Sequence, residues 1–537
     1  MHTSKNTANG TNRAARRSIA RRGGAAGTGA LLVTGSAAAL LTAFAGSAGA
    51  STTITVDSNG DGVATATNCT DFVPGNCTLR DAALAAIDGD TINFDASISL
   101  ITLTAGTVYT TPVNIIGPGA SSLTITTTAA AGSYDLFSVE GIGDAVISGL
   151  TVTKNRIKSL NDGKFTLDGV TVSGSTSAYG GDLYDGNGGA LYAGNDGELE
   201  IIDSTFENNT AETHGGAVHI YNDNDATISG STFRNNEAEF DGGAIYGENV
   251  YDVTIVDCTI TGNSAGDDGG GLALDNKKPD NVLSITDTTI DANDAGDLGG
   301  GLKIDAQDPL IVSITNSTVS NNTAQTDAGI LFDEGGITAT INNSTISANA
   351  ALYGSGGVYI GSGSSLTVNQ STISANSSAG SYTGTDGGGI QLGDNTSVVT
   401  LSGSIVSGNS SGVAGAADFG LYSSLASDTA SITATNSLIG EVDSRITVNG
   451  TNNVSSTNPM LGALANNGGS TKTMALLTGS PAIDAGPNPV ATFTGNEFDQ
   501  RGAGYARVVG GLVDIGAFEL QPSSEPATDP IAPSFTG

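Results

Sequence analysis

The stretch "FENNTAETHGGAV" at residues 206–218 is followed by "FRNNEAEFDGGAI" at 233–245, with the aromatic, the second asparagine and the paired glycines at the same offsets. A few fixed marks with drifting residues between them signal stacked structural units, because each unit must meet its neighbours through the same contacts. With the aromatic as origin, an apolar residue recurs at Phe206, Phe233, Ile260, Ile290, Val319, Ile346, Ile373 and Val406, spaced by 27 to 33 residues. Five positions earlier runs a second apolar column, Ile201, Ile228, Ile255, Ile285, Ile314, Ile341, Val368 and Leu401. Two positions before the origin the residue is small each time, and Cys258 takes that place once, which reads as a buried thiol in a serine column.

Three positions after the origin stands asparagine without exception: Asn209, Asn236, Asn263, Asn293, Asn322, Asn349, Asn376 and Asn409. Asparagine tolerates left-handed backbone, which suits a tight bend, and amides stacked one per unit can bond along the stack. Glycine pairs such as Gly215–Gly216 and Gly242–Gly243 precede each further aliphatic position and permit positive φ before the next strand. A unit of about 27 residues with short strands and no helical period must coil and stack on copies of itself, rising by ~4.8 Å per turn. The expected fold is therefore all-β, a single-stranded parallel β-helix.

Composition agrees. Of 537 residues 77 are glycine, none is tryptophan and aromatics are 5%, which favours short strands and many turns over helices. Six of the 19 basic residues lie in the first 50, with no acidic one, ahead of an apolar run from Ala30 to Ala45 and a small-residue "AGA" ending at Ala50, the layout of a secretory signal peptide. The net charge of −35 works against nucleic acid and anionic surfaces as partners. In an extracellular protein, Cys69 and Cys77 predict a disulfide. Leu79, Ala82, Ala83, Ala86 and Ile87 form an apolar stripe behind Thr78, a candidate N-cap, which predicts a short helix plugging the first rung. No segment of the mature chain is apolar enough to span a bilayer.

"FENN" with "GGAV" and "FRNN" with "GGAI" resemble the FxxN and GGA(I/L/V) repeats of polymorphic outer-membrane-type adhesins and related right-handed parallel β-helix proteins. "CTLRDAALAAIDGDTINF" at 77–94 is similar to the CSLREA-type segment that often precedes such helices. The stretches 458–488 and 499–520 are similar to the choice-of-anchor Q domain that often follows them. The resemblance implies a right-handed β-helix with an N-terminal cap and a small C-terminal cap domain. The implied organisation is a signal peptide at 1–50, a cap at 51–100, the β-helix at 101–440, a choice-of-anchor Q-like region at 441–520 and a disordered tail at 521–537.

Chemistry is less sharply marked. A pectate-lyase-type reaction needs calcium carboxylates, a basic residue and arginines for an acidic sugar, yet residues 206–406 hold only Arg234, Lys277, Lys278 and Lys303. His214 and His219 are the only histidines after residue 50, and His214 takes a turn position that is aspartate on other units, as a surface polar residue would. Eight residues after the origin stand Asp241, Asp268 and Asp327, with Asp386 in the equivalent place, while Asp267 and Asp297 lie one residue earlier. Stacking would bring Asp241, Asp267, Asp268 and Asp297 together, and such carboxylates repel unless a cation joins them, for which calcium is the natural candidate. The alternative is solvated turn aspartates. The expected function is a secreted or cell-surface, non-catalytic adhesion or structural module presenting its turns to a carbohydrate or protein ligand. The alternative is an extracellular carbohydrate-active enzyme, either a pectate-lyase-like polysaccharide lyase or a glycosidase. If the four aspartates share calcium at ~100 times its dissociation constant, the ion contributes about 2.7 kcal/mol. Thermal unfolding should then shift upward with calcium but not with sodium at matched ionic strength, and identical curves would assign the aspartates to solvent.

Overall fold

The computed structural model describes residues 51–522 except 71–73, 179–185, 196, 223–224, 280, 334, 381–384, 424 and 426. The expected signal peptide and nearly all of the expected tail lie outside the described residues.

The apolar columns of the sequence are columns in space. Ile201 pairs with Ile228, Ile228 with Ile255, and so on without slippage to Leu401, all in parallel register. The origin column does the same from Phe206 to Val406. A third column runs from Val218 through Ile245, Leu272, Leu302, Ile330, Val358 and Ile390 to Phe419. Each coil therefore contributes to three faces: one of 15 strands, one of 12, and one split lengthwise into two ladders by the asparagine bend. Inward side chains of all three faces meet in one continuous core, in which the Phe206 and Phe233 rings stack at 4.9 Å. This is a parallel β-helix. Its first face starts at Thr53–Val56 and ends at Ile446–Asn449, so the stack passes both ends of the repeat region read from the sequence.

The eight asparagines form one ladder. Each Nδ2 donates to the next Oδ1 at 2.9–3.0 Å from Asn209 to Asn409. The same Oδ1 also accepts the backbone N–H of the preceding ladder residue, and each Nδ2 also donates to a backbone carbonyl one rung back, as Asn263 does to Phe233 at 3.1 Å. From Asn236 to Asn409 all four hydrogen-bonding positions of these buried amides are thus used. Ser175 begins the ladder by donating its N–H to Asn209, and Asp418 ends it by accepting from Asn409.

The bend itself differs from the expectation. The left-handed residue is the one before the ladder asparagine: Asn208, Asn235, Gly262, Ala292, Asn321, Ala348, Ala375 and Gly408 have φ between 53° and 78°. The ladder position thus requires the amide for its hydrogen bonds, while its predecessor carries the backbone strain. The small-residue column is a second ladder, in which Ser317 N–H donates to Ser344 Oγ and Thr288 N–H to Ser317 Oγ. Cys258 occupies its place there, 2% exposed, and burial pushes its thiol up to about 11.

At the N-terminus Cys69 and Cys77 are disulfide-bonded, and the helix Leu79–Ala85 starts from Thr78 with a capping box to Asp81. Leu79, Ala82, Ala83 and Ala86 are buried as expected, but Ile87 is exposed because the helix stops before it. After Val454–Ser455 the chain folds back along the flank of the stack. There Gln500 Nε2 donates to Thr318 Oγ1 at 2.9 Å, Thr372 Oγ1 accepts from Ala517 N–H at 3.0 Å, and buried Arg507 donates to Asn343.

Replacing one mid-ladder amide strands the donors of the rung before it. Asn263→Ala is expected to lower stability by about 2–4 kcal/mol, read as a shift of the urea midpoint. Asn263→Ser, which keeps a small polar group at the bend, should lose less.

Candidate functional site

The 12-strand face has an outer surface that is not an ordinary solvent surface. Between inward Val218 and Ile220 the side chain of His219 points outward, as strand alternation requires, yet it is 1% exposed. Its column continues as Tyr246, Ala273, Lys303, Leu331, Tyr359 and Gln391. The turn that precedes each strand leans over this column, so that the His214 ring stacks on Tyr246 at 4.6 Å. Two residues farther along each strand stands a second outward column, Tyr221, Glu248, Asp275, Asp305 and Asp333. The result is a groove with a largely buried floor and a carboxylate rim on each side.

At the earlier rungs the groove is filled by its own side chains. His219 packs edge-on against Tyr192 and Tyr246, has no hydrogen-bond partner on either ring nitrogen, and is held neutral by burial and by the nearby His214 and Arg156 charges. His214 Nδ1 lies 3.2 Å from the Asp241 carboxylate. The expected calcium aspartates are distributed as follows. Asp241 and Asp268 stand on successive turns, joined through Asp268 N–H to Asp241 Oδ1 at 3.2 Å. Asp267 and Asp297 are exposed, on the solvent side of those turns. The sequence reading puts calcium among them, whereas the structure gives Asp268 a cation from the protein: Lys303 Nζ lies 3.1 Å from Asp268 and 3.8 Å from Asp305. Burial pushes the Asp268 carboxyl up and opposes the Lys303 charge, but Asp268 keeps the Lys303 ammonium above its usual range. Among the described residues no three carboxylate, imidazole or thiol groups gather closely enough to hold a metal ion.

At the later rungs the groove opens into a cleft of about 500 Å³ lined by Asp297, Asp327, Asp333, Asp386, Gln325, Gln391, Tyr353, Tyr359 and Tyr422, among others. Its origin is a change of loop length. From Phe206 to Val218, and likewise from Ile290 to Leu302, the chain takes 12 residues to reach the next face, but from Val319 to Ile330 it takes 11. The shortening moves Asp327 into the place of the positive-φ glycines, Gly269 and Gly299, and it adopts their conformation with φ 57°. From Ile373 to Ile390 the chain takes 17 residues, so this turn is enlarged and Asp386 falls beside Asp327. Both carboxylates are buried, and they accept from consecutive backbone amides, Asp386 from Gly354 N–H at 3.0 Å and Asp327 from Ser355 N–H.

Burial, with further repulsion from Asp386 and Asp333 and despite the Ser355 hydrogen bonds, pushes the Asp327 carboxyl up to about 7. Burial and then the Asp327 charge also push the Tyr359 hydroxyl up. Gln391 on the floor is fully buried; its Oε1 accepts Gly387 N–H at 2.7 Å, and its Nε2 has no partner. Tyr359 and Tyr422 meet edge to face at 6.5 Å. The sequence had placed Asp327 and Asp386 in the turn column but had not singled out the tyrosines or Gln391, which belong to outward positions whose burial depends on the overhanging turn.

A carboxyl with a raised folded-state pKa binds its proton more tightly folded than unfolded, so its contribution to stability falls as pH rises from about 4 to about 7. The groups facing Asp327 are Asp297, Asp333, Asp386, Tyr353, Tyr359 and Tyr422. Asp327→Asn keeps a residue that accepts left-handed backbone and removes this proton. Thermal melts should show the variant gaining on the wild type between pH 5 and pH 8, and parallel curves would contradict the assignment.

The family described as "Right handed beta helix region" matches residues 137–346. No curated protein matches the chain. Among solved structures, tailspike protein 3 of bacteriophage CBA120 is similar over 70% of this chain and 57% of its own, at 13% identity and a TM-score of 0.37. Mutant forms of the periplasmic alginate epimerase AlgG are similar over 68% of this chain and 77% of theirs, at 12% identity and a TM-score of 0.27. This chain thus spans little more than half the tailspike's length, and likeness at this level carries no functional inference. From the pairing of its strands and the family match, the chain is a right-handed β-helix repeat protein.

Proposed function

We propose that the protein is an extracellular or cell-surface β-helix that binds a neutral glycan in the cleft between the Asp297 and Asp386 turns. The observation that carries this reading is the combination in one cavity of tyrosine rings, carboxylate acceptors and the Gln391 Nε2 donor, which has no partner. Sugar rings offer apolar C–H faces to aromatic side chains and hydroxyls to carboxylates and amides, and this mixture of apolar wall with a few fixed polar groups is what a small-ligand site requires. The four carboxylates of the cleft oppose uronic acids and sulfated sugars unless cations screen them. Supporting the extracellular assignment are the signal-like segment at 1–50, the Cys69–Cys77 disulfide, and the resemblance of 77–94, 458–488 and 499–520 to terminal segments of surface β-helix proteins. Among the described residues no helix is long and apolar enough to cross a membrane.

Affinity electrophoresis in gels containing soluble xylan, galactomannan, mixed-linkage glucan or polygalacturonate tests the reading. Retardation is expected in a neutral gel, with Tyr359→Ala weakening it about tenfold, or about 1.4 kcal/mol. Retardation by polygalacturonate alone, or by none of the four, would overturn it.

A further inference from the structure

Resting on the glycan-binding reading, we infer that the cleft also hydrolyses the glycan it holds, with Asp327 as proton donor to the glycosidic oxygen and Asp386 as the base that activates water. Three independent features of the geometry carry this. First, the shortened coil sets Asp327 in the left-handed place that Gly269 and Gly299 hold on the earlier rungs, so a carboxylate stands where those rungs carry no side chain. Second, the two carboxylates are fixed on consecutive amides, Gly354 and Ser355, with no lysine, arginine or histidine among the described residues lining the cleft. Two buried carboxylates so placed, with no cation among the described residues lining the cleft, repel each other, and a proton held by one leaves the other as a base. Third, the Gln391 Nε2 donor is buried in the floor without a partner, and a sugar oxygen seated over it would complete its hydrogen bonding.

Burial and the neighbouring Asp386 and Asp333 charges push the Asp327 carboxyl up to about 7, which suits it to deliver a proton near neutral pH. In the reaction the bond between the anomeric carbon and the glycosidic oxygen breaks, and the Asp327 proton passes to that departing oxygen. A water oxygen bonds to the anomeric carbon and its proton passes to Asp386. Asp327 then stands ionised and Asp386 protonated, and exchange with solvent restores both. The balance is hydrolysis, with water as the only co-reactant. The absence of a basic side chain from the described cleft also argues against elimination, which needs a base for the proton beside an acidic sugar's carboxylate.

The test incubates the full secreted chain with xylan, galactomannan, mixed-linkage glucan and polygalacturonate and measures new reducing ends, alongside the affinity gels. Wild type should release reducing ends from a neutral polysaccharide, with the rate falling above about pH 7. Asp327→Asn and Asp386→Asn should each cut the rate by ~10²–10⁴-fold while still being retarded in the gel. Retardation of the wild type without any reducing ends overturns hydrolysis and leaves the binding reading standing. Absence of both overturns both. Equal rates in wild type and Asp327→Asn overturn the assignment of the acid, and unsaturated products from polygalacturonate overturn hydrolysis in favour of elimination.

Discussion

Each coil of this protein has its hydrogen-bond partners almost entirely on the coils before and after it, and the buried asparagine ladder is where that dependence is most acute. A buried amide costs stability unless its donors and acceptors are all met, and here they are met only when the neighbouring coil is in register. A slip of one residue would leave the amides unpaired and would also turn every inward isoleucine of the first face outward. The ladder and the apolar columns therefore enforce the same register from opposite sides of the bend.

Fixing the register at the bend frees the remaining turns. The turn ahead of the 12-strand face accepts histidine, aspartate or leucine, and a loss of one residue, taken up as a register shift between Ala295 and Leu298, or a gain of five leaves the pairing of the following face in register. Those length changes create the cleft. A coil one residue short draws Asp327 under the overhang, and the longer coil two rungs later sets Asp386 beside it. The scaffold supplies a constant spacing of rungs, and the cleft arises where a short and a long coil stand on either side of a regular one.

Charge along the groove follows the same logic. Carboxylates on adjacent rungs would repel at ~4.8 Å, and at the earlier rungs Lys303 sits between Asp268 and Asp305 to offset them. At the cleft no such cation stands among the described residues, and the compensation is a retained proton on Asp327 together with amide hydrogen bonds. One groove thus contains a closed half with Lys303 among its carboxylates and an open half with a carboxyl raised by burial.

The parallel β-helix, its three apolar columns, the asparagine ladder, the Thr78 cap and the Cys69–Cys77 disulfide were legible in the sequence, because each follows from a residue type repeated at a fixed period or from a short-range pattern. The left-handed bend was not, since Ala292, Ala348 and Ala375 adopt it against their own preference, held by the ladder next to them. Nor was the covering of the flank legible, although the outward residues there change from Glu207 and Arg234 to Ser320 and Ser347, which with Thr318 and Thr345 are buried on the flank where the C-terminal segment returns. Tertiary structure alone decided which outward side chains lie in a groove: Tyr359, Gln391 and Lys303 occupy equivalent positions by period, and what they face depends on how turns of different length lean across the space between coils. Period determines direction, inward or outward, whereas burial of an outward residue is set by through-space contacts that no local pattern encodes.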